Sequence, residues 1–285
     1  MNSSARGLAV AAAVIACAAT AAACGSDGTS SAAPKHVTET PLDASNFGPP
    51  GTATNKWVRL TPGYQTVELG GVNRGHRRLT HRRVYTVTDV VKEIDGVRAF
   101  AVIDQDFDGG ELAEQAIDWV IDDNKGNVWT LGSYTEAYEG GQYVNFTDGW
   151  LAGVNGARAG MLIVANPTLR TPPWSQLKVP GHEAASAAVV AVGTATCVPY
   201  RCFKNAVVIR EGGNETKTYV AGVGSVRTDP NMTGGEEETE RLINIKQLSP
   251  EGLTELSDEV LRLDQHARSV AKESYGDSSP ATRLR

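Results

Sequence analysis

VYTVTDVVKEIDGVRAFAVIDQDFDGGELAEQAIDWVIDDNKGNVWTLG, residues 84–132, is broken only by three turn signals. Ile94-Asp95-Gly96-Val97, Asp108-Gly109-Gly110 and Asn124-Lys125-Gly126-Asn127 each offer residues that tolerate a positive φ, which a tight hairpin demands. Connections so short leave no room for a crossover, so the runs between them must pair antiparallel. Within residues 111–123 the pattern has period two, with Ile117, Trp119 and Ile121 on one side and Asp118 and Asp122 on the other. That sheet has a dry face and a wet one.

Working outward, further strands are read at 57–60, 65–69, 143–150, 161–165, 187–198, 203–210, 217–227 and 241–247, mostly separated by glycine-bearing turns. The fold expected over residues 56–248 is mainly β, a large curved antiparallel sheet that is open or forms a half-barrel. After it the period changes. Leu253, Leu256, Val260, Leu263, Ala267 and Val270 recur at spacings of three and four, one stripe of an amphipathic helix over residues 249–275. Ser249 and Pro250 supply an N-cap and a favoured first residue. Asp258 with Arg262 and Asp264 with Arg268 are spaced as surface ion pairs. The stripe fits docking on the sheet, covering the mouth of a half-barrel, or presenting a surface to a partner. Residues 276–285 are read as a disordered tail.

The N-terminus is an export signal. Residues 1–23 carry one charge, Arg6, ahead of an alanine- and valine-rich run too short to span a membrane comfortably. The run ends in Ala21-Ala22-Ala23-Cys24-Gly25, which resembles a bacterial lipobox except that Ala21 stands where leucine is usual. Lipidation of Cys24, palmitate included, would hold the chain to the outer face of the cell membrane. Cleavage and plain secretion is the other reading of the same small residues. Residues 24–55, rich in Ser, Ala, Thr, Gly and Pro, read as a disordered tether.

The formal net charge is −6, and loss of Arg6 with the signal makes it −7, which argues against nucleic acid as the main partner. Of the four cysteines, Cys17 lies in the signal and Cys24 takes lipid. Cys197 and Cys202 flank Val-Pro-Tyr-Arg; in an oxidising space they are read as a structural disulfide across a hairpin.

Several segments together resemble a family of uncharacterised secreted bacterial proteins: Val87-Thr-Asp-Val-Val-Lys-Glu-Ile-Asp-Gly96, Glu111-Leu-Ala-Glu114 running into Asp118-Trp119, Gly126-Asn-Val-Trp129, and Tyr219-Val-Ala-Gly-Val-Gly224-Ser-Val226. The resemblance implies a β-rich extracytoplasmic domain and supplies no catalytic residues; Arg201 and the cysteine pair depart from the family pattern.

Two clusters could carry chemistry. Asp104, Asp106 and Asp108, at alternate positions before Gly109-Gly110, resemble the first half of an EF-hand calcium loop, but Gln115 stands where the bidentate glutamate belongs. A solvated acidic turn explains the same residues. Arg77, Arg78, Arg82 and Arg83, with His76 before them and His81 between them, fit contact with an anionic surface. They equally fit a charged edge strand that discourages aggregation. The sequence lacks a Gly-x-Ser-x-Gly elbow, a phosphate loop and a His-Glu-x-x-His motif. The expected role is non-catalytic: binding of a partner or small apolar ligand by a membrane-anchored envelope protein, without a cofactor unless calcium. A structural part in envelope assembly, using the helix stripe or arginine strand, and a calcium-dependent or hydrolytic enzyme are the alternatives.

Overall fold

The computed structural model describes residues 37–52, 54–182, 184–212, 215–231 and 238–284. Cys24 and the signal lie outside them. The strands are β1 (Tyr64–Arg74), β2 (Arg77–Ile94), β3 (Val97–Asp108), β4 (Glu111–Asp122), β5 (Val128–Glu139), β6 (Gln142–Leu151), β7 (Arg158–Ile163), β8 (Trp174–Lys178), β9 (Ala185–Cys197), β10 (Cys202–Glu211), β11 (Glu215–Val220), β12 (Gly224–Pro230) and β13 (Glu238–Gln247). Helices α1 (Pro250–Val270) and α2 (Lys272–Tyr275) follow, then a short β14 (Thr282–Arg283).

The sheet is antiparallel throughout and it closes. From β2 the order runs β3, β4, β5, β7, β8 and on in sequence to β13, which pairs with β1, and β1 pairs back to β2, giving a barrel of twelve strands. β6 lies off this ring on β5, and β14 lies on β2. The sequence left closure undecided; pairing of the first strand with the last makes the curved sheet a full barrel and removes its edges. The β2–β3 turn has Asp95 and Gly96 at φ 48° and 77°, the mirror-image turn that matches strand twist.

Alternation places Asp118 and Trp119 on opposite faces of β4. The acidic side faces the lumen, and the Trp119 side is the outer wall, dry because the C-terminal helices lie on it. Val260, Leu263 and Ala267 of α1 are fully buried in one cluster with Ile117, Trp119 and Ala101. Trp119 Nε1 donates to Tyr275 Oη, 3.1 Å, and Tyr275 Oη to the carbonyl of Ser133, 2.9 Å. The helix thus packs on the outside of the barrel, with Leu256, Val260, Leu263, Ala267 and Val270 of its stripe against the barrel's own core. Ser249 caps α1 by accepting from Gly252 N, 3.2 Å.

Charge on α1 is used differently from the helix-surface expectation. Asp264 is buried and receives Lys92 Nζ at 2.8 Å, Asp258 pairs with Arg283, and Arg262 pairs with Glu259. The two i,i+4 pairs are therefore corrected: tertiary partners with better-defined geometry take the carboxylates.

Three further expectations are corrected. Residues 276–284 are ordered: Thr282 and Arg283 pair with Val91 and Val90, and Ala281 N donates to Asp264 Oδ2 at 2.9 Å. From residue 37 the expected tether is packed structure. Thr38 bridges to Trp174, Leu42 and Phe47 pack on the core, and Phe47 meets Trp129 edge-on at 5.8 Å. Its irregular backbone has no period to read, so two apolar side chains dock it unannounced. Finally, β2 is paired on both sides, by β1 and β3, so the arginine strand is interior to the sheet and not an edge. The Cys197–Cys202 disulfide is present, its cysteines directly opposite at the end of the β9–β10 hairpin.

Candidate functional site in the barrel lumen

Because inward positions repeat every second residue, neighbouring strands present short combs of side chains to the lumen. β2 contributes His81, Arg83 and Tyr85; β3 contributes Asp104, Asp106 and Asp108; β1 contributes Glu68; β13 contributes Glu238 and Glu240. The register joins them, with Arg83 opposite Glu68 and Asp106, and His81 opposite Asp108.

Arg83 lies at the centre. Its Nε is 2.9 Å from both oxygens of Asp104, and its Nη1 lies 3.6 Å from Glu68 and 3.5 Å from Glu240. His81, 1 % exposed, sits one step toward the β1–β2 end. Its Nδ1 is 2.8 Å from Asp108 Oδ1, and Arg74 holds the other oxygen of Asp108 at 2.8 Å. Its Nε2 makes no hydrogen bond but faces Glu238 at 3.2 Å, Asp106 at 3.5 Å and Glu240 at 3.7 Å. Across the lumen, Lys217 Nζ is 2.9 Å from Glu215 and 3.6 Å from Glu211, and Tyr219 Oη donates to Glu211 at 2.6 Å.

Crowding carboxylates in a closed space shifts their protonation. Burial, with Asp104 adding repulsion, pushes Asp106 up to about 7 and Asp118 up to about 6. Burial and the neighbouring Glu240 hold Glu68 well above the carboxylate range. Glu240 goes the other way: burial opposes its charge, but Arg83 and His81 overcome this and hold it ionised. Burial likewise disfavours a charged His81, and its carboxylate neighbours outweigh that, raising its pKa.

Beside this network the lumen holds a cavity of about 300 Å³. One wall is charged, with Glu68, Arg83, Asp118, Glu211 and Lys217; the other is apolar, with Val58, Val120, Leu162, Leu177 and Val223. Two buried oxygens among its lining residues, Glu68 Oε2 and Ser225 Oγ, make no hydrogen bond.

The sequence-predicted acidic trio therefore lies along a strand, not in a loop. Successive members are about 7 Å apart on one face, with Asp104 held by Arg83, Asp108 by His81 and Arg74, and Asp106 turned to His81 Nε2. The four arginines are separated. Arg83 enters the lumen; Arg82 stacks on Phe107 at 3.8 Å; Arg78 bonds Asn73 and Thr239; Arg77 is exposed near the β1–β2 turn. Glu68, Glu211, Lys217, Glu238 and Glu240 were not singled out in the sequence. Glu238-x-Glu240 carries the same alternate-carboxylate signal as Asp104-x-Asp106, and only the strand pairing says that the two combs meet.

No family model matches the chain, and no curated protein matches it. Two solved structures align with part of the chain. An exported-protein candidate with a YmcC-like fold from Bacteroides fragilis aligns over 67 % of this chain and 99 % of its own, at 13 % identity and a TM-score of 0.32. A lipoprotein candidate from Parabacteroides distasonis aligns over 68 % of this chain and 99 % of its own, at 11 % identity and a TM-score of 0.31. Similarity at this level carries no inference about family or activity.

Proposed function

We propose that the chain is an exported lipoprotein, anchored through Cys24, whose barrel takes up a small amphipathic molecule in its lumen. Export and anchoring rest on the signal and lipobox-like sequence. The lumen reading rests on one observation: a cavity of about 300 Å³ in whose lining the buried Glu68 Oε2 makes no hydrogen bond, Arg83 Nη1 standing off at 3.6 Å. A buried polar atom left unsatisfied costs about 1–3 kcal/mol, and a ligand N–H or O–H would recover it. The volume lies at the low end of small-molecule pockets, roughly 300–1,000 Å³, so it suits a compact molecule and not a two-chain lipid. Opposed charged and apolar walls ask for a polar or cationic head and a short apolar body, which revises the wholly apolar ligand expected from sequence.

The test uses the full chain with Cys24→Ser, exported and purified without detergent. Native mass spectrometry is expected to find one small molecule per chain, absent from the lumen-filling variant Thr130→Trp with an unchanged circular dichroism spectrum. A bare chain that also gains no melting temperature with short-chain alkylamines would sink the proposal. Membrane fractionation of the unmodified chain against Cys24→Ser checks the anchor, and equal partition of the two would refute it.

A further inference from the structure

We propose that the end of the barrel nearest the β1–β2 turn is a zinc site, with His81 Nε2, Glu238 and Glu240 as its three protein ligands and a fourth position open to water. Nothing in the proposed ligand binding requires it. The ligand atoms of His81, Glu238 and Glu240 all lie within 4.8 Å of one another. The carboxylate oxygens stand 3.2, 3.5 and 3.7 Å from Nε2, for Glu238, Asp106 and Glu240. Zinc bonds of about 2.0–2.2 Å in a tetrahedron set neighbouring ligand atoms about 3.3–3.6 Å apart. The separations to Asp106 and Glu240 are long for hydrogen bonds, and those to Glu238 and Glu240 lie near the spacing of ligands around a shared ion.

Two further observations point to a ligand there. His81 is 1 % exposed, yet its Nε2 makes no hydrogen bond, and Asp106 Oδ1, likewise buried, makes none either. The far side of the ring is built as metal-bound histidines are. Asp108 can only accept, so Nδ1 carries the proton and Nε2 is the nitrogen aimed at the three carboxylates. Arg74 fixes Asp108 in turn, at 2.8 Å. Thr228 Oγ1 donates to Glu240 Oε2 at 2.7 Å, leaving Oε1 on the His81 side. Charge favours the same assignment. Two carboxylates and an imidazole that releases its Nε2 proton as the ion binds balance a divalent charge, and Arg83 stands 3.5 Å from Glu240. An imidazole ligand and few oxygens suit zinc; calcium takes six to eight oxygens and seldom a ring nitrogen.

The experiment is metal titration of the full Cys24→Ser chain after chelator treatment and dialysis. Calorimetry is expected to show one equivalent of Zn²⁺, and Co²⁺ in its place to give the intense visible absorption of tetrahedral coordination. Glu238→Gln, on a side chain near the surface, leaves folding intact and weakens zinc at least tenfold. Asp108→Asn weakens it about 10–100-fold by freeing the ring orientation. His182→Ala, an exposed histidine, binds as the parent does. The assignment is overturned if the parent takes up no zinc, if His182→Ala loses binding while Glu238→Gln keeps it, or if calcium displaces zinc at equal concentration.

Discussion

Lys92 shows how one residue commits the chain. It is 1 % exposed, with its Nζ 2.8 Å from Asp264 and 5.8 and 5.6 Å from the ring centroids of Trp119 and Tyr275. Removing one partner of such a pair leaves a buried charge alone, so Asp264→Ala is expected to cost about 3–5 kcal/mol in urea unfolding. Lys92→Met with Asp264→Leu should recover most of it; an unrecovered double variant would show that the pair does more than neutralise itself. Asp118 is the opposite case, a carboxyl that the fold disfavours when charged. Its pKa is raised to about 6 by burial and then by Asp104. Between the unfolded value, about 3.9, and 6 the native state holds more protons than the unfolded one. Stability from this group is therefore greatest at low pH and falls as pH rises toward 6. Asp118→Asn is expected to stabilise the protein by about 2–3 kcal/mol at pH 7.5 and by little at pH 4. Melting curves at the two pH values decide it, and an equal gain at both would contradict the assigned cause.

Among elements, those with a strong period were readable and those held by partners were not. The Asp95-Gly96 and Asp108-Gly109-Gly110 turns and the α1 stripe could be placed from residues alone, because backbone conformation and helical spacing are local properties. β8 could not: five residues, Trp174–Lys178, between Pro173 and Pro180 offer too short a pattern to distinguish from a loop. β14 and the Leu42–Phe47 stretch are ordered only by what they touch. The alternation along β4 and its dry Trp119 side were legible, but which side faces the lumen was not, because the Trp119 face is covered from outside by a helix more than a hundred residues later. The lumen cluster was half legible, as Asp104, Asp106 and Asp108 without the Glu238-x-Glu240 comb that meets them. The same dependence makes the tail testable. Truncation after Ser279 removes β14, the Arg283 pairs with Asp89 and Asp258, and the Ala281 bond to Asp264. Hydrogen exchange is expected to rise along residues 89–91 of β2 and along α1 while the β9–β10 hairpin is unchanged; unaltered exchange at Val90 and Val91 would mean that the tail contributes nothing.

At the scale of the whole molecule, one seam decides whether there is a lumen. β1 and β13 are distant in sequence, and their pairing is the last ring contact that local turns cannot bring about, so it carries the largest loop-closure cost. Gly70 sits in that seam opposite Glu240, and Val72 opposite Glu238. A Cβ added at Gly70 would lie 1.6 Å from the backbone carbonyl of Thr239, so β13 would have to move away. Gly70→Ala is therefore expected to destabilise the protein by at least the 1–3 kcal/mol typical of overpacking. Moving β13 also carries Glu238 and Glu240 away from His81, so the variant should bind zinc more weakly even at low temperature, where it remains folded. A barrel that shared no strain between seam and site would lose stability alone. Paired measurements of urea midpoint and zinc affinity on Gly70→Ala separate the two cases, and unchanged affinity beside a lowered midpoint would place the ion elsewhere than on β13.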